Sequence, residues 1–326
     1  MAPTYGEFAD ADAIERIVAA AEELGFDSLW VGDHVVLPDY AAESLPPRWF
    51  EALTTVVHGL ARTRRLRFGT DVLVAPYRNP VLLAKMVATA IELSGDRLEL
   101  GLAAGYMKGE FEALGLDFSR RGAITEEYVE VLRLLFETDG PVSHAGREIS
   151  LDRVHFGPRP SSPPPILLGG NAPAAAARAA RAGDGWHPLY PSFEDYASLR
   201  SAMSAQRGEE GRIGPYLWSY SCPLCEIRPD DASSGTSARA NDIDGYLPDL
   251  PTAPSGRLRF RGRAADLRED FTDLATIGVQ QAVLRFWIPG SPVDAARYVE
   301  QMTAFAAEVM PAITPREPHA DTMASR

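Results

Sequence analysis

Short apolar runs alternate with amphipathic helical stretches along nearly the whole chain, and that rhythm limits the folds open to it. Asp10 precedes Ile14, Ile17, Val18, Ala21 and Leu24, one helical stripe, and Gly25 stands where a left-handed C-cap belongs. Ser28-Leu29-Trp30-Val31 then reads as a buried parallel strand ended by Gly32. Further strands are expected at 66–74, 98–103, 166–168, 185–187, 217–227 and 282–287. Helices are expected at 49–61, 80–91, 124–137, 173–182, 193–206, 267–276 and 292–309. Strands separated mostly by helix imply a parallel sheet, and 326 residues suit a single (β/α)8 TIM barrel.

A closed barrel needs an eighth strand before the first helix, because an open ring exposes two unpaired edges. Only residues 1–5 are available for it. Either the pairing at Ala2-Pro3-Thr4 is very short or the start is clipped or mis-assigned, and the second reading is favoured. Residues 139–156 read as a hairpin or loop. Residues 228–262 are rich in Asp, Ser, Pro and Gly and form an insertion after the seventh strand, a lid or simply mobile, with composition favouring mobile. One domain is expected over 1–312, with a disordered tail over 313–326.

A net charge of −13 argues against gripping nucleic acid, which needs clustered Lys and Arg. No apolar run approaches the length that spans a bilayer, and residues 1–11 lack the layout of a signal peptide. Two cysteines provide no disulfide framework. A cytoplasmic protein without nucleic-acid or membrane partners is expected.

Barrel active sites gather at strand C-terminal ends. There the chain carries Asp33-His34, Thr70-Asp71-Val72, Gly105-Tyr106, Gly169-Gly170-Asn171 and His187. Glycines let backbone N–H groups approach a phosphate, and the helix after Asn171 turns its positive end toward them. The same Gly-Gly is equally ordinary chemistry for a strand-to-helix turn. His34 is a candidate acid or base that Asp33 could orient, or else a local space-filler. Asp96-Arg97, at a strand start, is expected to face solvent. Cys222-Pro223-Leu224-Cys225 lacks a second ligand pair for zinc and is placed in a strand, so a structural role is favoured over metal or redox chemistry.

The run Ala21-Glu22-Glu23-Leu24-Gly25-Phe26-Asp27-Ser28-Leu29-Trp30-Val31-Gly32-Asp33-His34 resembles the opening of luciferase-like oxidoreductases. Arg78-Asn79-Pro80, Leu83-Ala84-Lys85, Leu93-Ser94-Gly95-Asp96-Arg97-Leu98, Gly109-Glu110-Phe111-Glu112-Ala113-Leu114-Gly115 and Ala182-Gly183-Asp184-Gly185-Trp186 are also similar. Within that family the chain is most similar to the branch using the deazaflavin coenzyme F420, with FMN-dependent monooxygenases second. The resemblance implies a cofactor ring over the barrel mouth beside Asp33 and His34, and a non-proline cis peptide at Asp71-Val72 backing it. Thr70, Gly105 and Tyr106 would border the ring, and Gly169, Gly170 and Asn171 the phosphate.

The resemblance further implies hydride transfer between F420 and a small organic substrate, with His34 and Asp33 catalytic and no metal. A two-component FMN monooxygenase fed by a separate reductase is the alternative, and a non-catalytic flavin-binding barrel a third. A homodimer is implied. The sugar-phosphate dehydrogenases of the family carry Glu where this chain has Tyr106, and Trp where it has Leu37-Pro38, which puts that activity in doubt.

Overall fold

The computed structural model describes residues 1–42, 45–229, 250–286 and 294–313. Helix α1 (Ala11–Glu23) starts where Asp10 accepts a hydrogen bond from Ala13 N. It ends in a left-handed Gly25, φ 79°, with Phe26 N bonded to Ala21 O. Strand β1 (Ser28–Val31) follows, then a four-residue turn of helix, α2 (Asp39–Ala42), and α3 (Ala52–Arg62).

β2 (Arg67–Thr70) and β3 (Leu73–Val74) replace the single expected strand 66–74, because the Asp71–Val72 peptide interrupts it and is cis. Asn79 caps α4 (Pro80–Ser94) through Val81 N and Leu82 N, and Pro80 occupies its first position. β4 (Leu98–Ala103), α5 (Lys108–Ala113) and α6 (Arg121–Glu137) lead to an antiparallel hairpin of β5 (Val142–Ala145) and β6 (Ser150–Val154). Glu127 on α6 holds that hairpin's turn by accepting from the N–H groups of Arg147, Glu148 and Ile149.

The rhythm resumes with β7 (Ile166–Gly169), α7 (Pro173–Ala182), β8 (Gly185–His187), α8 (Phe193–Glu209) and β9 (Leu217–Ser221). β9 ends earlier than the expected 217–227. The two cysteines therefore lie between β9 and β10 (Glu226–Ile227) rather than within a strand. β10 pairs with β11 (Arg261–Gly262), so the two ends of the 228–262 insertion meet. Its last part is packed structure: Phe260 is buried, and Arg257 and Arg259 both bond Asp270 of α9 (Ala264–Thr276). The mobile reading of the insertion falls mainly on 230–249, which lie outside the described residues, as does the tail beyond 313. β12 (Gln281–Val283) and α10 (Ala295–Glu308) complete the chain, both shorter than their sequence patterns.

The main sheet runs β1-β2-β4-β7-β8-β9-β12, all neighbours parallel, with β3 beside β4. Ala2 bridges to Val31 and its N–H reaches Trp30 O, while the Met1 amino group donates to Leu284 O beyond β12. Met1 and Ala2 alone thus bridge β12 and β1 and nearly close the ring, a very short pairing.

Strand alternation separates two environments. Leu29, Val31, Phe68, Leu98 and Leu100 pack outward beneath the helices in the main apolar core. Trp30, Leu167 and Val283 form a small interior cluster of their own, and a side chain at Gly69 would collide with the Trp30 indole. At the strand starts Arg97 is half-buried and donates to Leu60 O and Leu66 O, correcting the expectation that it faces solvent. Beside it Glu99 joins Arg67 to Gln281 across the barrel floor.

Candidate active site

Because every strand of the ring is parallel, the segments after β1, β2, β4, β7, β8 and β12 emerge at one end. Asp33-His34, Asp71-Val72, Gly105-Tyr106, Gly170-Asn171 and Arg285 therefore share one mouth. Two carboxylates organise it at different depths.

The outer one is Glu110, on α5. Its side chain is 1% exposed, and Nδ1 of His34 lies 3.1 Å from Oε2. Tyr77 donates to the same oxygen at 2.9 Å, and Oε1 accepts from Val35 N at 2.8 Å. Burial alone would raise the Glu110 pKa, but the His34 hydrogen bond and charge, with Val35 N and Tyr77, hold it below the ordinary carboxylate value. The other ring nitrogen of His34, Nε2, is 3.2 Å from the Tyr106 hydroxyl. Trp49 packs edge-on against the imidazole at 4.6 Å, so an indole stands beside His34 although Leu37-Pro38 occupy the family's tryptophan region.

Asp33 does not orient His34. It pairs bidentately with Arg78 at 2.7 Å and accepts from Val74 N, tying the end of β1 to β3. Glu110 performs the orienting role instead. The sequence carried one usable signal for it: Met107, Glu110, Phe111 and Leu114 share one helical face, so a carboxylate stands in an apolar stripe.

The inner carboxylate is Asp71. It accepts from His187 Nε2 at 2.8 Å, Ser221 Oγ at 3.2 Å and Arg285 at 3.0 Å, all facing the barrel interior. Burial would raise its pKa, but the Arg285 charge and the His187 hydrogen bond pull it below the ordinary value. His187 also meets Ser219 Oγ and stacks on Trp30 at 4.8 Å.

The remaining predicted residues divide. Thr70 is fully buried and its hydroxyl bridges Gly101 N and O, so it repairs the β2–β4 ladder rather than bordering an open surface. Asn171 uses its side-chain amide to clasp Leu189 N and O, which leaves its backbone as the part that could meet a phosphate. Gly105, φ 80°, has no room for a side chain against Val74, 2.6 Å from a built Cβ. Gly169 lies inside β7, and Gly170, φ 115°, turns the chain into α7. Val72 is half-buried beside the cis peptide.

Cys222 and Cys225 are fully buried, and burial pushes both thiols up, as structural cysteines require. Among the described residues no group of His, Cys, Asp or Glu is arranged to hold a metal, and no helix is long and apolar enough to cross a membrane.

The family model of luciferase-like monooxygenases matches residues 1–309. An F420-dependent glucose-6-phosphate dehydrogenase of Amycolatopsis mediterranei is 33% identical over 184 residues, 55% of this chain and 54% of that protein. Among solved structures, an F420-dependent secondary alcohol dehydrogenase carrying an F420-acetone adduct superposes with a TM-score of 0.74 at 19% identity, covering 93% of this chain and 95% of that one. The monooxygenase RslO1 of Streptomyces bottropensis gives 0.76 at 22% identity, covering 95% and 97%. At those identities the two structures establish the fold, a luciferase-like TIM barrel.

Proposed function

The chain belongs to the luciferase-like monooxygenase family and is an oxidoreductase, and from that premise we propose that it transfers hydride between coenzyme F420 and a small organic substrate. The observation that carries this reading is His34, held at the mouth between a buried carboxylate and a solvent-facing phenol.

The residues present fit such a cofactor. Gly170 holds a left-handed turn in which a Cβ would strike Ala175 at 2.7 Å. Residues 171–174 after it are exposed, and Ala172 caps α7 without a side-chain hydrogen bond. Pro173 has no N–H, and the Ala175 and Ala176 N–H groups bond Ala172 O, so the donors a phosphate would meet are Ala174 N–H and the backbone just ahead of α7, at its positive dipole end.

When bound, a deazaflavin supplies a ring carbon that accepts or donates hydride. The protein's part is proton management and placement. Glu110 at Nδ1 favours the tautomer with that nitrogen protonated, so Nε2 is the atom that exchanges a proton. Asp33 does not touch the proton path; clamped by Arg78, it fixes the backbone from which His34 projects. Trp49 limits rotation of the imidazole.

The family's own description favours a second reading, an FMN monooxygenase supplied with reduced flavin by a partner reductase. Equilibrium titration of the purified protein separates the two. F420 is expected to bind saturably and FMN at least roughly tenfold more weakly, about 1.4 kcal/mol. Tighter binding of FMN would replace the first reading with the second.

A further inference from the structure

We propose that the Tyr106 hydroxyl, rather than the His34 imidazole, exchanges the proton with the substrate oxygen, and that His34 and Glu110 stand behind it as its relay. This rests on the oxidoreductase reading of the same mouth.

The argument is one of access. Both imidazole nitrogens are engaged, Nδ1 by Glu110 at 3.1 Å and Nε2 by Tyr106 at 3.2 Å. The His34 side chain is 11% exposed, whereas Tyr106 is 52% exposed. A substrate oxygen arriving from solvent therefore meets the phenol before it can meet the ring. Glu110 cannot move toward the substrate, because Val35 N, Val36 N and Tyr77 hold both its oxygens.

A phenol alone is a poor base near neutral pH, since its ordinary pKa is about 10. Backed by an imidazole it need never carry a full charge. The substrate is then an alcohol or its carbonyl partner. In oxidation, the alcohol carbon gives a hydride to the oxidised deazaflavin and its O–H proton passes to the Tyr106 oxygen. The Tyr106 proton moves to His34 Nε2, and the resulting imidazolium faces the Glu110 carboxylate. The C–H and O–H bonds break, a C=O bond forms, and the two electrons leave with the hydride. Carbonyl reduction runs the same proton path backward.

Tyr106→Phe keeps the ring and removes the relay's outer end. In full-length protein without cofactor, labelled with 15N-histidine, this variant is expected to shift the His34 Nε2 resonance, with His34→Gln identifying the signal among six histidines. In the F420-loaded enzyme, turnover of secondary alcohols is expected to fall ~10²-fold or more. The F420 dissociation constant should stay within about twofold, ~0.4 kcal/mol. Adding His34→Gln should cost little more, since groups acting as one unit are non-additive. An unchanged His34 resonance in Tyr106→Phe overturns the relay whatever cofactor binds, and so do wild-type turnover or losses that multiply in the double variant. Failure of wild-type protein to bind F420 sinks the cofactor assignment instead, and leaves the imidazole measurement to decide the relay.

Discussion

Two histidine–carboxylate pairs lie at the mouth of this barrel, and they differ in almost everything except composition. His187 and Asp71 are both buried and are closed in by Ser219, Ser221, Arg285 and the Trp30 indole. His34 and Glu110 sit nearer the surface, and His34 is in contact with the exposed Tyr106. The inner pair has an arginine to balance its charge, which suits a structural plug. Among the described residues no arginine pairs with the outer one, which contacts the Tyr106 phenol instead. Pairing a histidine with a carboxylate does not make a reactive centre; a path from that pair to solvent does.

The sharpest way to break the contrast is to strip the inner pair of its cation. Arg285→Met takes the guanidinium away from the buried Asp71 carboxylate, and removing one member of a buried ion pair costs ~3–5 kcal/mol. Urea unfolding should show that loss, and a change under ~1 kcal/mol would mean that the inner network is not structural.

The outer pair should respond in the opposite currency. His34→Ala is expected to lower turnover by ~10²–10⁴-fold while leaving the F420 dissociation constant nearly unchanged. Turnover at the wild-type level would remove His34 from the chemistry.

A smaller effect separates the carboxylates by pH. The Glu110 pKa is depressed from its ordinary 4.5 in the folded protein. Its contribution to stability is therefore present above about pH 4.5 and is lost as pH falls through the lower folded value. Glu110→Gln should flatten the acid limb of stability against pH, and equally steep limbs would contradict the hub. Smallest is Asn79→Ala, which removes the α4 cap beside Arg78 at ~1 kcal/mol in thermal unfolding and should leave F420 binding unaltered.

The ring of strands was legible because short apolar runs and capped helical stripes state their own geometry, as Asp10, Gly25 and Pro80 illustrate. The cis peptide at Asp71–Val72 was legible only through family resemblance, since nothing local in those two residues demands it. The site was half legible. Residues at strand ends share a mouth by topology, so His34, Tyr106 and Gly170 could be grouped without coordinates. Side-chain commitments could not. Thr70 and Asn171 look like ligand contacts in sequence, yet one closes a ladder gap and the other clasps Leu189. Arg285 and Asp71 meet across 214 residues, a separation no spacing rule spans. Ala2 meets β1 by a single bridge, below the length at which a strand pattern can be seen.

The central claim is that the redox centre lies over the strand ends with His34 and Tyr106 at its reacting side. A crystal structure of the protein with F420 tests it most directly. The account predicts density for the deazaflavin ring against the Val72 backbone, within reach of Tyr106, and the phosphate at residues 170–174, where the chain turns into α7. A ring bound anywhere else on the barrel, or in the mouth but turned away from Tyr106 and His34, would contradict it.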